Sequence, residues 1–191
     1  MAGSLLERIR KSAGTEYSGI KKCALAYSGG LDSSAMALIL SDLGMQVITV
    51  SLDLGQGLAQ AKKFAPLISK KNFFFDARED FLTHIKKGIW ANTLHHGHIN
   101  GEGMSRPLIA KYLVQVAEKE GCQAVVHGSS GTGNDQFRME NSIRVLAPNL
   151  RIIAPIRDWN LSREEAVSYV KKKKLPIKTD GGSPFSIDEN L

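Results

Sequence analysis

The chain has 191 residues, 42% of them hydrophobic and 23% charged, with a formal net charge of +6. This composition fits one soluble globular domain with a core of its own, and two cysteines without a close pair exclude a disulfide scaffold. No apolar run reaches the roughly 18 residues of a membrane span, and charges scattered through Met1 to Gly14 rule out a secretory signal, so a reducing cytoplasm is the expected compartment.

Leu5 to about Ala13 reads as a short amphipathic helix with Leu5, Leu6 and Ile9 on one face. Cys23 to Tyr27 is a buried strand running into Ser-Gly-Gly. Ser33 to Leu43 is helical and stops at Gly44, a favoured C-terminal residue. Gln46 to Leu52 is a second strand, Leu58 to Lys70 a helix, Asn72 to Asp76 a third strand and Phe81 to about Ala91 a helix. His95 to Ser105 reads as a Gly- and His-rich loop, after which Pro107 opens a helix that runs to Glu120. Gln123 to His127 is a fourth strand, followed by a second Gly-rich loop and a helix from about Phe137. Arg151 to Ala154 is a fifth strand. Ser162 and Glu165 form a capping box for a helix reaching about Lys173, and the tail from Leu175 has no clear periodicity.

Strands that are continuous apolar runs, alternating with helices, predict a doubly wound α/β fold: a parallel five-stranded sheet with helices on both faces. Such sheets bind ligands beyond the carboxyl ends of their strands. Both Gly-rich loops fall there, whereas Cys23 and Cys122 fall at or just before amino ends, which argues against cysteine chemistry.

The first loop is Ala26-Tyr27-Ser28-Gly29-Gly30-Leu31-Asp32-Ser33-Ser34. Its glycines allow a sharp turn that brings backbone N–H groups close to a ligand, and the following helix aims its positive end at the same place. Serine hydroxyls add donors. The product is a phosphate site with neither Walker A nor dinucleotide-turn spacing. The second loop, His127-Gly128-Ser129-Ser130-Gly131-Thr132-Gly133-Asn134-Asp135-Gln136-Phe137-Arg138-Met139-Glu140, gathers an amide, a carboxylate and a guanidinium suited to a carboxylate or amide substrate.

The first loop resembles the pyrophosphate loop of the ATP pyrophosphatase (PP-loop, N-type) enzymes, whose fold is adenine nucleotide alpha hydrolase-like. The second resembles the substrate loop of the argininosuccinate synthase family. Ser105-Arg106-Pro107, Ile153-Ala154-Pro155-Ile156-Arg157-Asp158-Trp159 and Ser186-Ile187-Asp188-Glu189-Asn190-Leu191 resemble further stretches of that family, in chain order from Lys22 to Leu191. The resemblance implies an N-terminal extension (1–21), an ATP-binding domain (22–174) and a tail (175–191), with the second synthetase domain absent. It implies ATP contacts at Ala26, Tyr27, Ser28, Gly29, Gly30, Leu31, Asp32, Ser33, Ser34, Leu52, His127 and Gly128. It implies substrate contacts at Arg106, Ser130, Asn134, Asp135, Arg138 and Ser186, and catalytic roles for Asp32 and Asp135. The implied reaction adenylates a citrulline-like ureido oxygen with ATP and Mg²⁺, then lets the aspartate amine displace AMP. A homo-oligomer is implied, as is a possible second chain carrying the missing half.

The chain departs from the family pattern in its acceptor half. His98 stands where the family has a citrulline-contacting Tyr, Gly103 where it has a contacting Ser, and Thr132 where it has a Lys. These departures leave open a PP-loop enzyme with another acceptor, or an ATP-binding partner subunit without turnover. His95, His96 and His98 lack a regular ligand spacing, so a solvated or altered substrate loop is the plainer account of them than a metal site. Asp53 reads either as a ribose contact or as a cap. Lys171 to Lys174 reads as a solvated helix end, because no aromatic residue interleaves it for stacking on nucleic acid.

Overall fold

A computed structural model describes residues 2–13, 17–131 and 133–177. The strands are β1 (Lys22–Ala26), β2 (Gln46–Asp53), β3 (Lys71–Asp76), β4 (Leu94–His95), β5 (His98–Ile99), β6 (Ala124–Val126) and β7 (Arg151–Ile153). The helices are α1 (Ala2–Ala13), α2 (Leu31–Asp42), α3 (Ala59–Ile68), α4 (Arg78–Trp90), α5 (Gly101–Lys119), α6 (Asp135–Leu146), α7 (Pro155–Asp158) and α8 (Arg163–Lys172). Five strands form a parallel sheet in the order β3-β2-β1-β6-β7. The apolar strand runs are explained by burial on both faces. Cys23, Leu25 and Tyr27 join a core completed by α1, α2, α3 and α8. Ala24 and Ala26 face the opposite core, built with α4, α5 and α6. Among the described residues no helix is long and apolar enough to cross a membrane.

The expected loop between His95 and Ser105 is the main local difference. Its start is a hairpin, β4 paired antiparallel with β5. His96 and Gly97 at its tip have φ of 50° and 82°, the left-handed pair that a tight two-residue turn needs. Helix α5 then begins at Gly101, and Pro107 lies inside it. The start signal is Asn100, whose side-chain oxygen accepts the Gly103 N–H at 3.0 Å. Pro107 is the seventh residue of the helix, past its first turn, and has no N–H to give the Gly103 carbonyl. All three histidines of this stretch are exposed, and among the described residues no group of three or more His, Cys, Asp or Glu could hold a metal.

Other boundaries move by a few residues. Helix α2 starts at Leu31, α4 at Arg78 and α6 at Asp135, each earlier than expected, and α7 is a single turn opened by Pro155. Asp53 does not cap a helix: one carboxylate oxygen accepts the N–H groups of Gly55 and Gly57 at 2.9 and 3.1 Å and shapes the 54–57 loop.

Cys23 is fully buried in β1 and Cys122 is buried just before β6. Burial pushes the Cys23 thiol up to about 12 and the Cys122 thiol to about 11. At neutral pH each is then almost wholly unreactive thiol. Iodoacetamide should label neither cysteine of the native chain within an hour and both within minutes in denaturant. Rapid native labelling of Cys23 would mean that β1 opens to solvent.

Candidate functional site

Between β2 on one side of β1 and β6 on the other, the connections leave the sheet in opposite directions, the switch point at whose carboxyl ends such a sheet forms its ligand crevice. Both Gly-rich loops rise from that edge. In the first, Gly29 has φ of 85°, and a Cβ on it would stand 2.5 Å from the Ala61 nitrogen and 2.8 Å from the Gln60 carbonyl carbon. The loop is thus pressed against the start of α3, where only glycine fits. Gly30 is the extended residue ahead of α2, and no side chain caps that helix. The N–H groups of its first turn therefore point at the crevice with the helix dipole behind them.

Hydroxyls stiffen this turn. Ser28 Oγ accepts the Gly30 N–H at 3.2 Å, and Ser33 Oγ donates to the Gly30 carbonyl at 3.2 Å. With the Ser33 hydrogen spent there, Ser28 is the donor in the 3.1 Å contact between the two hydroxyls. Tyr27 and Ser34 hydroxyls meet at 2.9 Å in the core, and burial raises the Tyr27 phenol's pKa against the weaker opposing effect of that bond. Ser51 Oγ donates to the Tyr27 carbonyl at 2.7 Å and ties the loop to β2. Ala26 ends β1, and Asp32 is half-buried in the first turn of α2. Leu52 is buried in the core, and its carbonyl accepts from Gln56 at 2.7 Å.

The second loop starts at His127, which is 1% exposed. His127 Nδ1 accepts the Ser129 N–H at 3.3 Å, so the neutral ring carries its proton on Nε2, 3.6 Å from Glu140. Burial lowers the His127 pKa and outweighs the opposing pull of Glu140, which keeps the ring neutral. Gly128 lies over Met36 of α2, whose Cε would be 2.8 Å from an added Cβ, so the two loops are neighbours.

Arg106, Asp135 and Arg138 converge. Arg106 Nε and Nη2 donate to one Asp135 oxygen at 2.9 and 2.7 Å, and Arg138 Nη1 donates to the other at 3.1 Å. Arg106 also reaches Glu102 at 3.1 Å. Burial alone would raise the Asp135 pKa, but the Arg106 and Arg138 guanidiniums more than offset it and hold the carboxyl below its ordinary range. Ser130 and Asn134 are exposed beside this cluster. Ser186 and Thr132 lie outside the described residues.

The motif strings contained Gln136, Glu140 and Arg157, yet their spacing gave no reason to single them out. Only the fold brings them under the second loop, where Arg157 Nη1 donates to Glu140 and, at 3.2 Å, to Gln136. Gly103 is buried, and a Cβ there would stand 2.6 Å from the Asn100 side chain, so a serine would require that cap to shift. His98, by contrast, is exposed on β5.

The family described as "Arginosuccinate synthase N-terminal HUP domain" matches residues 22–176. Argininosuccinate synthase of Methanocaldococcus jannaschii is 45% identical over 173 residues, covering 87% of this chain and 44% of that protein. The argininosuccinate synthase of Bacillus thuringiensis (strain Al Hakam) is 46% identical over 176 residues, covering 90% of this chain and 44% of that protein. The chain thus spans less than half the length of these curated relatives. NMN synthetase from Francisella tularensis superposes with a TM-score of 0.60 at 13% identity, covering 92% of this chain and 70% of that one. NAD⁺ synthetase from Burkholderia pseudomallei superposes with a TM-score of 0.56 at 15% identity, covering 91% and 67%. These two neighbours share the adenine nucleotide alpha hydrolase-like fold, and with a family match over most of its length the chain belongs to the argininosuccinate synthase family.

Proposed function

We propose that this chain is the nucleotide-binding half of an AMP-forming carbon–nitrogen ligase of the argininosuccinate synthase type. The observation that carries the reading is the uncapped first turn of α2 behind Gly29 and Gly30, an anion site at the switch point of the sheet. In this reading the 22–174 unit binds ATP, with the triphosphate on the 28–33 turn. Negative charge on the leaving pyrophosphate is stabilised by amides already fixed in place. Mg²⁺ would enter with the triphosphate, and the Asp32 carboxylate and serine hydroxyls would face it; among the described residues no group of three or more His, Cys, Asp or Glu could hold a metal.

The acceptor lies toward the Arg106–Asp135–Arg138 cluster. Its ureido oxygen attacks the α-phosphorus and releases pyrophosphate. The aspartate amine then attacks the activated carbon, AMP leaves, and the amine proton passes to a base. Asp32 and Asp135 are the carboxylates assigned to the reacting region. Asp135 also orients both arginines, since each of its oxygens receives a guanidinium. The exposed side chains of Trp90, Leu94 and Phe137 supply apolar surface for the remaining half of the synthetase, carried by a second chain or a longer one.

A second reading is favoured by the departures at the acceptor side: with Gly103 under the Asn100 cap and an exposed His98, the acceptor in this reading is another carboxylate, amide or ureido compound. ATP–pyrophosphate exchange by the purified chain with Mg²⁺, with and without citrulline, separates the readings. Citrulline-dependent exchange is expected from the first. ATP binding without exchange would move the assignment to another acceptor or to a required partner. Absence of ATP binding would overturn both.

A further inference from the structure

Beneath the second loop lies a chain of polar contacts that begins in the segment ahead of β1. Tyr17 donates from its hydroxyl to Asp158 Oδ2 at 3.1 Å, and the same oxygen accepts the Ala154 N–H at 2.9 Å. Asp158 Oδ1 accepts from Arg157 Nε at 2.8 Å. The other edge of that guanidinium grips Glu140 and Gln136. Gln136 Nε2 donates onward to the Gly131 carbonyl at 3.2 Å, and a Cβ on Gly131 would stand 3.3 Å from Arg157 Cγ. Glu140 faces His127 Nε2, and His127 Nδ1 holds Ser129. One arginine therefore reaches the loop at Gly131, through Gln136 and its own stem, and it holds Glu140 3.6 Å from the His127 ring that binds Ser129, a distance too long for a hydrogen bond.

The Tyr17 end of this chain is itself fastened. The Tyr17 ring sits edge-on to Trp159 at 6.2 Å between centroids, and Arg8 of α1 donates to the Trp159 carbonyl at 3.4 Å and to Glu165 at 3.0 Å. Ile9 is fully buried beneath α1. Tyr17 and Arg8 precede the residues matched to the family, which begin at 22.

We propose that Arg157 is a positioning residue that holds the second loop at Gly131 and beneath His127, and that the segment ahead of β1 sets Arg157 through Tyr17 and Asp158. The loop-holding role needs no ligand. Its consequence for the acceptor rests on the ligase reading above. Arginine suits the task because its planar fork serves Glu140, Gln136 and Asp158 together, which a lysine ammonium on a thinner stem does not.

The test is amide hydrogen exchange on the full chain without ligand, for wild type, Arg157→Met, Arg157→Lys and Tyr17→Phe. Arg157→Met should speed exchange across 128–136 by roughly tenfold or more, and Tyr17→Phe by roughly threefold, from the loss of charge-assisted bonds that hold the loop. Arg157→Lys should fall between wild type and Met. Exchange across 27–33 should be unchanged in all three. Exchange raised everywhere, or unchanged across 128–136 in Arg157→Met, would overturn the proposal. Where wild type shows citrulline-dependent pyrophosphate exchange, Arg157→Met should also raise the KM for the acceptor. An unchanged acceptor KM beside faster exchange across 128–136 would overturn that consequence. A wild type without exchange activity would bear only on the acceptor or on a required partner, because the loop measurement still decides this proposal.

Discussion

Gly29→Ala should weaken ATP binding by roughly 100-fold, the loss of about two charge-assisted amide–phosphate bonds. The left-handed φ of 85° costs an alanine about 1–2 kcal/mol by itself. Its Cβ would also meet backbone, the Ala61 nitrogen at 2.5 Å, which no side-chain rotation relieves. The turn must then lift from α3, and the amides ahead of α2 lose their aim. Gly30→Ala is the matched control. Gly30 has φ of −80°, and its added Cβ would stand 3.3 Å from Ser28 Oγ, a hydroxyl able to move aside. That variant should lose roughly 1 kcal/mol or less and bind ATP within about fivefold of wild type. Titration calorimetry with ATP, beside a thermal melt, checks both. Wild-type ATP affinity in Gly29→Ala would sink the assignment of this turn to the phosphates.

The sheet was legible because parallel strands buried on both faces must be apolar without alternation, and Ala24-Leu25-Ala26, Val47-Ile48 and Val125-Val126 meet that requirement. The phosphate turn was legible for a similar reason: sharp reversal and close backbone approach restrict residue choice to glycine at Gly29, and that restriction shows in the string. The start of α5 was hidden by Pro107. Proline is a strong first-turn signal, and it masked the weaker cap at Asn100. The hairpin escaped because His96 carries a left-handed φ that glycine or asparagine usually marks. The bracing of the second loop had no sequence signature at all. Glu140 and Arg157 are separated by a strand and by loops, and ion pairs carry no spacing rule when the fold alone brings them together.

Asp135→Ala should cut acceptor-dependent pyrophosphate exchange by roughly 100-fold or more while ATP affinity changes less than about twofold. Both Arg106 and Arg138 lose their shared acceptor, and Arg106, 14% exposed, still reaches Glu102. Two guanidiniums then repel each other at the start of α6, where the helix dipole adds further positive potential. The stability loss should be about 1–3 kcal/mol, below that of a fully buried pair because both partners retain some solvent. Asp135→Asn keeps one oxygen acceptor and turns an N–H₂ toward one guanidinium, so it should fall between wild type and alanine in stability. The pH dependence has a definite sign. The folded carboxyl titrates below its ordinary 3.8, so its contribution is present above that value and is lost as the pH falls through the lower folded pKa. Asp135→Ala should therefore flatten the acid limb of the stability curve below about pH 4. Exchange kinetics at saturating ATP and acid titration followed by circular dichroism measure the two effects. A variant that loses ATP affinity as much as acceptor-dependent exchange would mean that the cluster serves the nucleotide, and Asp32 would then be the better candidate for the reacting carboxylate.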